Sequence, residues 1–230
     1  AEGSGYIGVG DGAELNPGFE DTKPNPFYRA YITTETGVVA GNGNISRANS
    51  YSVGHNAPAG FTTGYYQWNG DPRLSRFYVA SSTGHRGIPY GQLSVPGPDE
   101  GSKTSTIGGP GYVPDGAASR AWILTATESL FLQAEARERG IINSGPSAES
   151  LLRSAIQESF VWLGLTSADA DTYIGNNATY PDVDYNGVSQ GAGLPAGGIY
   201  TIMSQKWFAL NGINVLEIWT DFRRTDIVYG

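Results

Sequence analysis

The chain has 230 residues, of which 39% are hydrophobic and 16% charged, with a formal net charge of -8. That length buries a real core in one domain or a tight pair, and five Trp, fourteen Tyr and eight Phe exclude an acidic disordered chain. An acidic balance without a Lys/Arg cluster argues against nucleic acid, and no apolar run reaches the roughly 20 residues that span a bilayer.

Ala1 to Gly12 carry no start Met, signal-type apolar region or lipid-accepting Cys, and read as the interior of a longer chain. Gly8-Val9-Gly10-Asp11-Gly12-Ala13 fits the G-x-G-x-x-A dinucleotide pattern. That pattern needs a strand before it and a helix after it. Leu15-Asn16-Pro17-Gly18 cannot start a helix, so the segment reads as a loop.

Residues 1–118 read as one loop-rich segment, because glycine and proline concentrate there. Pro24-Asn25-Pro26, Gly41-Asn42-Gly43-Asn44, Pro96-Gly97-Pro98 and Gly108-Gly109-Pro110-Gly111 each break regular structure. Short strands are predicted at Ser75–Ala80 and Ser50–Val53. So long an irregular stretch must pack on something, and the helical remainder is the expected support.

Within this segment Phe61-Thr62-Thr63-Gly64-Tyr65-Tyr66-Gln67-Trp68 is the best candidate for ligand contact. Tyr65, Tyr66 and Trp68 offer flat apolar faces beside an amide, and sugar rings present C–H faces that stack on such platforms. The alternative role for the same rings is to staple the loops to the helical core. His85, in Ser81-Ser82-Thr83-Gly84-His85-Arg86-Gly87, is a further polar candidate, although a lone loop histidine is commonly just solvated.

Residues 119–230 form the helical part, with four windows free of interior breakers. Ser119–Arg139 places Ile123, Ala126, Leu130 and Ala134 on one face, and Gly140 stands where a left-handed cap is wanted. Ala148–Leu163 follows Ser147 as N-cap, with Leu152, Ala155, Ile156, Phe160 and Leu163 as its stripe. A polar, Gly-rich interval from Ser167 to Gly198 comes next. Ile199–Asn211 carries Ile199, Met203, Trp207 and Leu210; Asn214–Arg224 carries Val215, Ile218, Trp219 and Phe222. The fold class is therefore mainly α: two helical hairpins of tetratricopeptide-like packing, with the loop-rich extension carrying a few short strands. Trp122, Trp162, Trp207 and Trp219 lie on or beside the stripes and read as core. The ending at Tyr229-Gly230 closes nothing over the last hairpin and reads as a truncation.

Asp182-Val183-Asp184-Tyr185-Asn186-Gly187 resembles the start of a calcium-binding loop, but its twelfth position is Gly193 instead of a bidentate Glu. It reads as an Asx-rich turn, with a weak, incomplete cation site as the alternative. No nucleophile elbow is present, no Cys supplies a thiolate, and two histidines leave little for metal or relay chemistry. No catalytic residue, metal site or cofactor is expected.

Three stretches resemble the SusD/RagB family of surface glycan-binding outer-membrane lipoproteins. They are Thr127-Glu128-Ser129-Leu130-Phe131-Leu132-Gln133-Ala134-Glu135-Ala136 with Arg139-Gly140, then Ile202-Met203-Ser204-Gln205-Lys206-Trp207-Phe208-Ala209-Leu210, then Glu217-Ile218-Trp219-Thr220-Asp221-Phe222-Arg223-Arg224-Thr225. Asn25-Pro26-Phe27-Tyr28 and Asn69-Gly70-Asp71-Pro72-Arg73-Leu74 are similar to weaker landmarks of the same family. The resemblance implies a helical fold and capture of oligosaccharides or other nutrients without chemistry. It implies an outward-facing place on the cell outer membrane, a lipid anchor in a segment absent from these residues, and a SusC-like TonB-dependent transporter as partner. A protein–protein scaffold with no sugar binding is the alternative. Read physically, the motifs are structural: Trp207 and Trp219 should cement a hairpin, while Glu217, Asp221, Arg223 and Arg224 form ion pairs or cap carbonyls.

Overall fold

The computed structural model describes residues 5–15, 17–34, 36–57, 60–91, 103–187 and 197–227. The Pro96-Gly97-Pro98 break, Gly193 and the last three residues lie outside these. The chain divides into two units: Asn16–Ala121, and a helical unit that joins Ala1–Leu15 to Trp122–Gly230. Strand β1 (Gly12–Leu15) belongs to the helical unit. The Gly8–Ala13 motif is thus a turn running into a strand, with none of the helix that a dinucleotide site requires.

The loop-rich unit is built from pieces as short as its breakers allow. They are α1 (Gly41–Ile45), α2 (Ser50–Val53), the antiparallel pair β2 (His55–Ala57) and β3 (Gly60–Thr62), α3 (Tyr65–Trp68), α4 (Leu74–Phe77), and β4 (Tyr78–Val79) antiparallel to β5 (Thr106–Ile107). Ser50–Val53, predicted as a strand, is a helical turn because Asn49 caps it, its side-chain oxygen accepting from the Tyr51 N–H at 2.8 Å. In the predicted strand Ser75–Ala80 only Tyr78–Val79 is a strand. Its first residues are helical because Asp71 turns the chain there, accepting from the Arg73 N–H at 2.9 Å. The same carboxylate holds the Arg73 guanidinium, with Nη2 to Oδ2 at 2.6 Å and both side chains fully buried. A charge so deep is tolerable only when it is paired and hydrogen-bonded, so the Asn69–Leu74 landmark reads as an internal anchor.

The helical unit continues with β6 (Ala121–Thr125), paired with β1, and then α5 (Ala126–Glu138), α6 (Ala148–Trp162), α7 (Ser167–Asn176), α8 (Gly198–Leu210) and α9 (Val215–Thr225). The helix predicted from Ser119 starts seven positions later, at Ala126. Trp122, Ile123 and Thr125 favour an extended strand, and Thr125 then caps the helix by accepting from the Glu128 N–H at 3.1 Å. Helix α7 falls inside the interval read as irregular. Its start is a reciprocal box in which Thr166 accepts from the Asp169 N–H at 3.1 Å and Asp169 accepts from the Thr166 N–H at 2.9 Å.

Helices α5 and α6 form one hairpin and α8 and α9 the other, with α8 packed on both α5 and α6, and α7 packed on α6. Leu130, Phe131, Leu152, Ile156, Phe160, Ile202, Phe208 and Leu210 are buried between them. Each such side chain contributes about 1.5–3 kcal/mol relative to exposure. Among the described residues no helix is long and apolar enough to cross a membrane.

Candidate ligand-binding site

The aromatic loops of the first unit are held by backbone crossing backbone. A Cβ added at Gly64 would overlap the amide nitrogen of Gly54, and one at Gly87 would lie 2.5 Å from the carbonyl carbon of Asn49. Only glycine permits such approach. The Gly87 N–H donates to the Gly54 carbonyl at 2.7 Å. Gln67 completes the knot, its oxygen accepting from the Gly64 N–H at 3.2 Å and its amide donating to the His85 carbonyl at 3.2 Å. Half-buried His85 has its pKa lowered by desolvation, which favours the neutral ring.

This frame sorts the predicted residues by face. Trp68 is 62% exposed, whereas Tyr66 is fully buried, with ring centroids 6.0 Å from Phe77 and 6.3 Å from Tyr78. Tyr65 is also buried, its ring 5.7 Å from that of Tyr51. A helical turn rotates successive side chains by about 100°, so Tyr66 and Trp68 cannot share a surface. The predicted trio therefore supplies one open ring, and the two tyrosines are buried. Tyr51, Phe61 and Tyr90 are exposed rings of the same unit. The Arg86 guanidinium lies 5.3 Å from the Phe61 ring centroid, a cation–π contact that holds that ring face. Phe61 stood in the aromatic run, but Tyr51 and Tyr90 are isolated in sequence, and no local pattern marks them.

In the Asp182–Gly187 segment Asp184 accepts from the Asn186 N–H at 3.0 Å, the hydrogen bond of an Asx turn. Among the described residues no group of three or more His, Cys, Asp or Glu is arranged to hold a metal ion.

The motif residues of the helical unit form a charge lattice. Buried Lys206 on α8 reaches Asp221 at 2.7 Å and Glu217 at 3.1 Å on α9. Arg224 binds Asp221 at 2.6 Å and pairs with both carboxylate oxygens of Glu135 on α5, whose Oε1 also accepts from Arg139 at 2.7 Å. Desolvation pushes the Glu135 pKa up, but Arg224 and Arg139 outweigh it and hold the carboxyl below its ordinary value. Glu128, accepting from Asn214 at 3.1 Å, has its pKa raised by desolvation. The lattice joins α5, α8 and α9. Trp219 does not cement the hairpin as expected. It is 57% exposed and stacks on Phe222 with centroids 5.7 Å apart.

A protein-family profile, SusD-like, described as starch-binding associating with outer membrane, matches residues 28–228. The chain belongs to this SusD-like family. Solved structures agree. A SusD homolog from Bacteroides vulgatus is 25% identical, with TM-score 0.51, over 73% of this chain and 38% of its own. A chitin-binding SusD homolog from Flavobacterium johnsoniae is 25% identical, with TM-score 0.53, over 71% of this chain and 36% of its own. A SusD homolog from Bacteroides uniformis shares the fold over 97% of this chain, with TM-score 0.56 and 18% identity. The SusD-like chain thus spans less than half the length of each of these structures. No curated protein matches it.

Proposed function

We propose that this SusD-like chain captures oligosaccharides at the bacterial outer-membrane surface without chemistry and hands them to a SusC-like TonB-dependent transporter. The family match over residues 28–228 carries the reading. The exposed rings of the loop-rich unit supply its chemistry, since flat apolar faces stack on the C–H faces of sugars. Chitin binding by the Flavobacterium johnsoniae homolog supports saccharide as the class of cargo. Surface attachment through a lipid anchor belongs to the same proposal.

In this reading Trp68 is the stacking ring, while Tyr65 and Tyr66 fix the turn that presents it. Tryptophan-fluorescence titration with maltoheptaose, chitohexaose and a panel of soluble polysaccharides tests it. Saturable binding without product is expected, and Trp68→Ala should weaken it by about 1 kcal/mol or more. Unchanged affinity in that variant would remove Trp68 from the site and leave the function standing.

One observation favours a second reading, a helical protein scaffold. Val215, Leu216 and Trp219 leave an apolar stretch of α9 exposed, and stacked hairpins commonly hold protein partners. Co-purification with a transporter together with silence toward every saccharide would favour that reading.

A further inference from the structure

We infer that the helical unit holds a second saccharide subsite, in the cleft between α6, α7 and the turn that carries Val183 and Asp184. The inference rests on the proposal that the cargo is saccharide. The cleft encloses about 430 Å³, inside the range of about 300–1,000 Å³ typical of small-molecule sites. Its floor is apolar: Leu152 and Ile156 from α6, Ile174 from α7, and Val183. Its rim is made of hydrogen-bonding groups, with Glu149 and Asp184 foremost.

The two carboxylates are held in place by one residue. Asn186 donates its side-chain amide to Glu149 Oε1 at 3.2 Å and its N–H to Asp184 Oδ1 at 3.0 Å. Each carboxylate has a second oxygen to offer a ligand. Arg153, the cation of the lining, is drawn to Asp171 at 2.7 Å, and Gln157 holds the same carboxylate oxygen at 2.8 Å. The rim is therefore dominated by acceptors and repels anions. It suits a ligand that is uncharged, rich in O–H donors and apolar on one ring face, which describes a neutral pyranose unit. Aliphatic side chains receive its C–H face, and carboxylates accept from neighbouring hydroxyls with the added strength of a charged acceptor.

The test is a methyl spectrum of the protein labelled at Ile, Leu and Val, titrated with maltoheptaose and separately with chitohexaose. Saturable shifts of the Leu152, Ile156, Ile174 and Val183 methyls are expected with at least one of them. Ser150→Trp, which puts a large side chain at an exposed position of the lining, should abolish those shifts. Glu149→Gln, which keeps an acceptor but removes its charge, should weaken them about three- to ten-fold and covers the case in which the bulkier variant fails to fold. Saturable shifts elsewhere with these four unmoved would overturn the subsite and leave saccharide capture intact. No saturable shift anywhere in the spectrum with either sugar would overturn the subsite and count against the proposed function as well.

Discussion

At the scale of single residues, the side chains that are absent matter as much as those that are present. Gly64→Ala would drive a methyl into the Gly54 amide, and core overpacking of that kind costs about 1–3 kcal/mol. Urea unfolding should show this loss for Gly64→Ala, whereas Gly41→Ala, whose added Cβ meets no neighbour within 4 Å, should change stability little. The sequence marked the aromatic run Tyr65-Tyr66-Gln67-Trp68 as a whole, and of its three rings only Trp68 is open to solvent. It had no means of separating Trp68 from Tyr66. A four-residue turn is too short for periodicity, and the face it turns inward is decided by Phe77 and Tyr78, eleven and twelve positions after Tyr66. Tyr51 was invisible for the same reason, since only the folded chain brings it to Tyr65.

At the scale of elements, the helices with dense apolar stripes were legible and those with thin ones were not. Leu152, Ala155, Ile156, Phe160 and Leu163 announce α6, while α7 buries little more than Ala170 and Tyr173 and depends on its capping box. The charge lattice between α5, α8 and α9 gives opposite pH signatures at two of its carboxyls. Glu135 has a folded-state pKa below its unfolded value. Its contribution is therefore complete above the ordinary glutamate range and fades as pH falls through the folded value. Glu128 has a raised pKa, so the fold prefers it protonated, and stability is lost as pH rises from the ordinary glutamate range through the raised value. Thermal melts across the acid range should show Glu135→Gln less stable than the parent at neutral pH, with the gap closing in acid. Glu128→Gln should match or exceed the parent at neutral pH, because the amide still accepts from Asn214 without a buried charge. A loss of stability for Glu128→Gln that grows toward neutral pH would contradict that assignment.

At the scale of the whole molecule, the formal charge of -8 bears on the cargo proposed above. A neutral oligosaccharide feels little of that field, so its affinity should stay within about two-fold between roughly 50 and 200 mM salt. An anionic glycan would be repelled at low salt and bind better as screening increases. Calorimetry at the two salt levels separates them. The exposed stretch of α9 allows a further check. Leu216→Ser should leave stability within about 0.5 kcal/mol in urea unfolding, because the Leu216 side chain is exposed and takes part in neither the Asn214 cap nor the Glu217–Lys206 pair beside it. If the scaffold reading holds, the same change should lower retention of the transporter partner in a co-purification. The mainly helical class was legible in the sequence because four breaker-free windows stand behind a segment dense in glycine and proline. The exposure of Trp219 was not, because a stripe position names a face of the helix without saying what lies against it.

The crossing of Gly54, Gly64 and Gly87 separates the frame of the loop-rich unit from the rings it carries. The crossing itself is main chain on main chain, tied by the Gln67 side chain, while the rings at positions 51, 61, 68 and 90 are exposed. Mutation can therefore trade one ring for another, or for a polar group, and leave the mounting undisturbed. In the proposed role, a library randomised at those four positions is expected to vary the saccharide bound on a frame that still folds.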